Sequence, residues 1–171
     1  MLVSLEQILK SRDDRQQTQR QLMQEYPDKT LICMTVVMPG SEKRNNQSLI
    51  VANAGKQELE KTFKDEIIYS QANDLQTGYE LYLIVNLNYL KAKTICCNIE
   101  ENHPLGRMFD IDVFDPSGVP VMREEAGFAK RKCLICENEA RFCMRNFTHT
   151  QEEIQQHITK LINSYTGNLK A

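Results

Sequence analysis

Apolar positions recur along the chain with two different periods, and the switches between them predict its elements. Ser4, followed three residues later by Gln7, is a capping-box pattern that opens a helix whose first apolar face is Leu5, Ile8 and Leu9. From Ser11 to Met23 the chain is polar around most of its circumference, so the helix is expected to run, long and charged, to just before Pro27. Leu31 to Met38 is a nearly continuous apolar run stopped by Pro39-Gly40, which reads as a central strand. Ser48 to Lys61 supports a helix that can bury Leu49, Ile50, Ala54 and Leu59. Phe63 to Tyr69 suggests a strand with an uneven start, Asn73 to Gly78 a turn, and Tyr79 to Val85 a stronger strand. Asn86 or Asn88 can cap the next helix, which carries Leu90, Ala92, Ile95 and Ile99 to a stop near Pro104. Phe109, Ile111 and Val113 then alternate with Asp110 and Asp112, the period of a half-buried strand.

From residue 31 to 115 the order is strand, helix, strand, strand, helix, strand. This predicts an α+β fold, a mainly antiparallel sheet with helices packed on it, and it allows a ferredoxin-like split core. Asp115-Pro116-Ser117-Gly118 is a turn, and a charged, helix-like stretch leads to a C-terminal helical segment that contains cysteines and histidine. His157 is expected on the surface of the last helix, and the tail from Asn163 to Ala171 is expected to fray. With 171 residues and 19.8 kDa, the whole of 1–171 is expected to form one domain.

The alternating strand carries the first candidate chemistry. Residues i and i+2 project the same way about 6–7 Å apart, close enough for Asp110 and Asp112 to share a magnesium ion. Without a cation, like charges at that spacing raise each other's pKa. Just upstream, Gly106 permits close backbone approach to a ligand, and Arg107 can answer phosphate oxygens with a bidentate fork. Together these residue types describe a triphosphate site with its metal; the plainer reading is a solvated strand with two acids. His103 adjoins the pair in sequence and is the candidate base. Arg12 and Arg15 stand three apart on one helix face and can be lent to an anionic substrate if that helix lies over the site. Lys43-Arg44 sits in the loop after the first strand. Arg123, Lys130, Arg131 and Lys132 form a basic cluster near the acid pair, suited to a phosphorylated substrate or simply to solvent.

Six cysteines change the picture little by number and more by place. Cys96-Cys97 are helix neighbours that read as packing residues. Cys133-Leu134-Ile135-Cys136 is a knuckle that Cys143 and His149 can complete as a tetrahedral structural zinc site; the alternative is a packed CxxC. His149 is also open to a base, phosphate-binding or helix-capping role.

A formal net charge of -2 and a pI near 6.0 give no global signal for nucleic acid, and no apolar run reaches membrane-spanning length. The first residues show neither a basic n-region nor an apolar core of an export signal, so thiols rather than disulfides and a cytoplasmic location are expected.

The residues also carry a resemblance. HPLGRMFDIDVFD at 103–115, Arg123 to Gly127, RKCLIC at 131–136, Ala140, Cys143, Arg145 and His149 together resemble the apo-citrate lyase phosphoribosyl-dephospho-CoA transferase family, CitX. Val3 to Glu6 with Arg12 and Arg15, the Pro39-Gly40 loop with Lys43 and Leu49, and Thr77-Gly78 extend the likeness over nearly the whole chain. Met122 departs from it, standing where the family commonly has a serine before the arginine. The resemblance implies a nucleotidyltransferase that moves the prosthetic group of 2'-(5''-triphosphoribosyl)-3'-dephospho-CoA to a serine of the citrate lyase acyl-carrier subunit and releases pyrophosphate. It implies Mg²⁺ on Asp110 and Asp112, and Arg107 neutralising developing charge. It also implies phosphate contacts from Lys43 and the cluster at 130–132. The Gly-Arg-x-x-Asp-x-Asp signature is similar as well to the malonate decarboxylase holo-carrier synthase, the alternative transferase. A non-enzymatic zinc-binding interaction module is the third reading.

Overall fold

The computed structural model describes residues 2–168. Four strands, β1 (Thr30–Val36), β2 (Ile67–Leu75), β3 (Gly78–Val85) and β4 (Phe109–Phe114), form one antiparallel sheet in the order β2-β3-β1-β4. Helices α2 (Asn46–Thr62) and α3 (Tyr89–Asn102) make the two crossovers, which gives the split arrangement that the element order allowed. Helix α1 (Leu5–Glu25) precedes this unit, and α4 (Ala140–Asn146) and α5 (Gln151–Asn168) follow it.

The period-two pattern separates the two faces. Ile32, Met34, Leu81, Leu83, Val85, Phe109, Ile111 and Val113 pack with Val51, Ala54 and Leu59 of α2, Ala92, Cys96 and Ile99 of α3, and Ile158 and Ile162 of α5. The opposite face has a smaller apolar cluster, Leu31, Cys33, Tyr82, Ile84 and Phe114, closed by Leu22 of α1. Helix α1 contributes little apolar surface and is held instead by its ends and by polar bonds. Ser4 caps it in a reciprocal box with Gln7, a motif that contributes about 1 kcal/mol, and the Val3 N–H donates to Ser41 O at 2.9 Å.

Several boundaries differ from those the pattern predicts. Phe63 ends α2 as its C-cap rather than starting a strand, and β2 begins at Ile67. That edge strand continues through Asn73 and Asp74, which the composition marks as turn, because Asn73 and Asp74 pair with Glu80 and Tyr79. Helix α2 is capped by Asn45 rather than opened at Ser48, and Asn88 caps α3. The expected fraying after Asn163 is not seen: α5 continues to Asn168, and Leu169 to Ala171 lie outside the described residues. The charged stretch before the knuckle is not helical beyond the single turn Glu124–Ala126.

Strand β4 is a sheet edge whose outward groups find partners within the chain. Buried Glu100 accepts the Ile111 N–H at 3.0 Å, and the buried Lys93 ammonium donates to Ile111 O at 3.2 Å. The Phe109 carbonyl accepts from Arg131, and Val113 O accepts the Val121 N–H at 2.8 Å. An edge so occupied is closed to a foreign strand.

Candidate functional site

Three strands present a polar surface beneath the first half of α1. Across the sheet Thr35 pairs with Asp110 on one side and Glu80 on the other, and Cys33 pairs with Asp112 and Tyr82 in the same way. With strands about 4.8 Å apart, Asp110 and Glu80 stand about 10 Å apart at the backbone on one shared face. Asp110 and Asp112 both stay accessible, in alternation with buried Phe109, Ile111 and Val113. The surrounding protein withdraws solvent from Asp112 and, with Asp110 beside it, pushes its pKa up against the pull of Lys93, Arg15 and Arg131. Burial pushes the Cys33 thiol on the floor of this surface up to about 12, so it stays neutral there.

Helix α1 turns Ser11, Arg15, Gln19 and Leu22 toward the sheet, the stripe expected of one helical face. Ser11 Oγ lies 2.8 Å from Thr77 Oγ1, and Arg15 Nε donates to Glu80 Oε1 at 2.9 Å. The second Glu80 oxygen accepts the Tyr82 hydroxyl at 2.6 Å. Both Glu80 oxygens are therefore satisfied, and Glu80 fixes Arg15 through its Nε. Arg12, one turn earlier, lies near enough to Lys43 to depress that lysine's pKa, although burial contributes more. The Lys43 ammonium donates to Met38 O. Arg44 forms a bidentate pair with Asp74, both bonds 2.7 Å.

On the other side of the acid pair, Arg131 donates to Asp110 Oδ1 at 2.8 Å, to Arg107 O at 2.8 Å, and to Phe109 O. Arg107 sits in the 3-10 turn Gly106–Met108 directly before β4; it donates to Cys133 O and lies 3.7 Å from Glu137. The structure thus brings Arg12, Arg15, Lys43, Arg107 and Arg131 to the same end of the sheet as Asp110 and Asp112.

Other sequence candidates lie elsewhere. His103 ends α3 and packs its ring at a tilt against Phe109 and Tyr165, at centroid distances of 4.9 and 5.6 Å, while its Nδ1 accepts the Leu105 N–H at 3.0 Å. Because Phe109 faces the helical layer, His103 is on the side of the sheet away from the acids. Gly106 packs against the end of α3, not against open space: a Cβ there would fall 2.4 Å from Glu100 O. Arg123 is clamped by Glu100 and by Glu101 at 2.7 Å and donates to Ala129 O at 3.1 Å, so it ties α3 to the following loop. Lys130 faces Glu139 at 3.5 Å. Asp115 accepts from Ser117 and Val119 within its turn and does not join the acid face.

Glu80 was missed as a candidate, although a lone acid at the head of the apolar run Leu81 to Val85 is a visible signal. Lys93 and Glu100, seven apart on one helix face beside Ala92, Cys96 and Cys97, are a second such signal.

A second constellation stands beside the first. The ligand atoms of Cys133, Cys136, Cys143 and His149 all lie within 4.8 Å of one another, a Cys₃His cluster able to coordinate a metal ion. Cys136 Sγ is 3.5 Å from Cys143 Sγ and 3.3 Å from His149 Nε2, near the edge of about 3.8 Å that 2.3 Å zinc–sulfur bonds define in a tetrahedron. The knuckle is a hairpin: Cys133 N–H donates to Asn138 O at 2.7 Å and Ala140 N–H to Arg131 O at 2.8 Å.

A split antiparallel sheet flanked by helices, with an acid pair on one face and a Cys₃His cluster joined to it by two arginines, defines a single α+β unit. The chain belongs to the apo-citrate lyase phosphoribosyl-dephospho-CoA transferase family, CitX, whose model it matches over residues 3–165. A probable apo-citrate lyase phosphoribosyl-dephospho-CoA transferase of Streptococcus pyogenes is 33% identical over 95% of this chain and 87% of its own length. A protein of the same description from Vibrio cholerae is 30% identical over 96% of this chain and 94% of its own. The protein CitXG of Haemophilus influenzae is 31% identical over 95% of this chain, which spans 36% of that longer protein. Among the described residues no helix is long and apolar enough to cross a membrane.

Proposed function

We propose that this protein, working in the cytoplasm, transfers the prosthetic group of triphosphoribosyl-dephospho-CoA to a serine of the citrate lyase acyl-carrier subunit. The serine oxygen forms a bond to the phosphorus nearest the ribose, the bond from that phosphorus to pyrophosphate breaks, and the hydroxyl proton is released. The observation that carries this reading is the Asp110–Asp112 pair, open on one sheet face and flanked by Arg15 and Arg131, in a chain that matches the CitX family model nearly end to end.

The two carboxylates fit a divalent cation. They share a face, burial and the neighbouring Asp110 disfavour the charge of Asp112, and the cation bonded directly to Asp110 is a guanidinium contributed by a loop. Mg²⁺ held by Asp110 and Asp112 would supply neutralisation of the triphosphate and of the leaving pyrophosphate. Arg15, oriented by Glu80, and Arg12 with Lys43 bind phosphate oxygens from the α1 side. Arg107 and Arg131 do so from the knuckle side, where charge accumulates on the leaving group. The Cys₃His cluster matches zinc in ligand type and number, and we assign it to a structural Zn²⁺.

The test is to incubate the protein with apo-carrier, the triphosphoribosyl donor and Mg²⁺, and to follow carrier mass and pyrophosphate. The expected result is a mass gain with equimolar pyrophosphate, lost in Asp110→Asn and Asp112→Asn and absent when the carrier serine is alanine. Transfer only to a malonate decarboxylase carrier would move the assignment to that synthase. Failure of the folded protein with both carriers would end the transferase reading.

A further inference from the structure

The segment from Ala129 to Thr150 reaches the main core through partly buried Leu134, an apolar anchor too small by itself to explain its conformation. Its buried hydrophobic side chains are Cys133 and Cys143, while Phe142, Met144 and Phe147 are exposed, Phe147 by 89%. A short hairpin and the seven-residue α4 make up its regular structure, too little to be stable without a staple. Phe147 also adopts a left-handed φ of 48°, which costs a bulky residue free energy that an exposed ring cannot recover by packing. That turn sets the Thr148 N–H on Cys143 O at 3.1 Å and brings His149 to Cys136. What the strained turn achieves is convergence of the four ligands.

The same hairpin carries the arginine that meets the acid strand. Arg131 is its first rung, through its carbonyl to Ala140, and its side chain holds Asp110, Arg107 O and Phe109 O. Arg107 returns the contact by donating to the carbonyl of Cys133, a ligand residue. One guanidinium on Asp110, that of Arg131, and a second at the head of β4, that of Arg107, are thus tied to the loop that the four ligands close.

We propose that a zinc ion in the Cys133, Cys136, Cys143 and His149 cluster is the positioning device for Arg131 and Arg107. Its binding locks the 131–140 hairpin against the start of β4, and its loss frees both guanidiniums while leaving the sheet folded. The catalytic part of this inference rests on the transferase reading; the placement of the hairpin does not. The four ligands are positioning residues that act through the arginines.

The experiment uses the full chain, loaded with Zn²⁺, then stripped with a chelator, and returned to Mg²⁺ with or without one equivalent of Zn²⁺. Metal content is measured, native trypsin cleavage is followed at Lys130, Arg131 and Lys132, and sheet integrity is read from the thermal transition. One zinc per chain is expected, with cleavage at these positions about tenfold faster after stripping and slowed again by Zn²⁺ but not Mg²⁺. In the transfer assay, stripping raises KM for the donor about tenfold with a smaller change in kcat. Arg131→Ala with zinc retained reproduces that KM, and stripping this variant adds less than about twofold. A chain that binds no zinc, or a stripped chain as resistant to trypsin as the loaded one, overturns the proposal. So do KM defects of stripping and of Arg131→Ala that multiply independently. If neither carrier is modified by the zinc-loaded protein, the transferase reading fails, and metal content with trypsin cleavage still decides whether zinc holds the hairpin.

Discussion

Glu80 shows how one residue can be costly and still retained. A carboxylate this deeply buried needs both oxygens satisfied, and Arg15 and Tyr82 satisfy them. Glu80→Gln removes the charge that holds Arg15 and leaves the guanidinium facing a neutral amide. A loss of about 1–3 kcal/mol in denaturant unfolding is expected, together with a higher KM for the triphosphate donor. Because both effects run through one contact, adding Arg15→Ala to Glu80→Gln should change KM by much less than the product of the single effects. Independent multiplication would show that Glu80 acts elsewhere. At His103, burial lowers the pKa and Glu58 pulls weakly the other way. The folded state therefore takes up its proton later than the unfolded chain, whose histidine titrates near about 6.5. The stability that depends on neutral His103 is complete above that pH and is lost as pH falls through the lower, folded value. Urea midpoints at pH 7.5 and 5.5 should fall further for the wild type than for His103→Gln; equal falls would mean that the ring's surroundings do not disfavour its charge.

Strand β4 gains its function from what adjoins it, and the 3-10 turn before it is the tightest of these contacts. A Cβ on Gly106 would meet Glu100 O at 2.4 Å and Ile99 O at 2.6 Å, backbone atoms at the end of α3 that cannot swing aside. Gly106→Ala must push Arg107 and the head of β4 away from α3, at a cost of about 1–3 kcal/mol, or a Tm lower by roughly 3–10 °C for a chain of this length. A melt within a degree of wild type would show that the turn yields freely. The alternation in β4 was legible because Phe109, Ile111 and Val113 are local in sequence, and the same is true of the boxed start of α1. Partnerships across the sheet were not. Nothing near His103 in sequence says that its ring follows Phe109 to the face opposite Asp110. Arg123 reads as one of a basic cluster until Glu100 and Glu101 of α3 are seen to hold it. Glu100 itself is engaged by an edge strand eleven residues further on, a demand that no helical period encodes. Cys133, Cys136, Cys143 and His149 stood out, by contrast, because ligand spacing survives in sequence whatever surrounds it.

Over the whole molecule, stability is distributed unevenly, and the distribution follows the two apolar clusters. Strands β1 and β3 are the inner pair of the sheet, and each contributes buried side chains to both clusters: Ile32 and Met34 to one and Leu31 and Cys33 to the other from β1, Leu81 and Leu83 against Tyr82 and Ile84 from β3. Their amides can exchange with solvent only when both layers open, so they should exchange at the rate of global unfolding. Residues 129–150 touch the main cluster through partly buried Leu134 and are not enclosed between two layers, so their amides should exchange through local opening even when the sheet is intact. Hydrogen exchange of the metal-free and zinc-loaded chain separates the two regimes. Zinc is expected to slow the amides of Cys133 and Ala140, whose partners lie within the hairpin, by a large factor, and to leave those of Ile32 and Leu83 nearly unchanged. If zinc slowed all of them equally, the cluster would belong to the global unfolding unit. The acid pair would then be exposed to metal loss through collapse of the sheet and not through release of its arginines. Uniformly slow exchange in the metal-free chain would mean that Arg131 and Arg107, by their bonds to β4 and Cys133, hold the hairpin unaided.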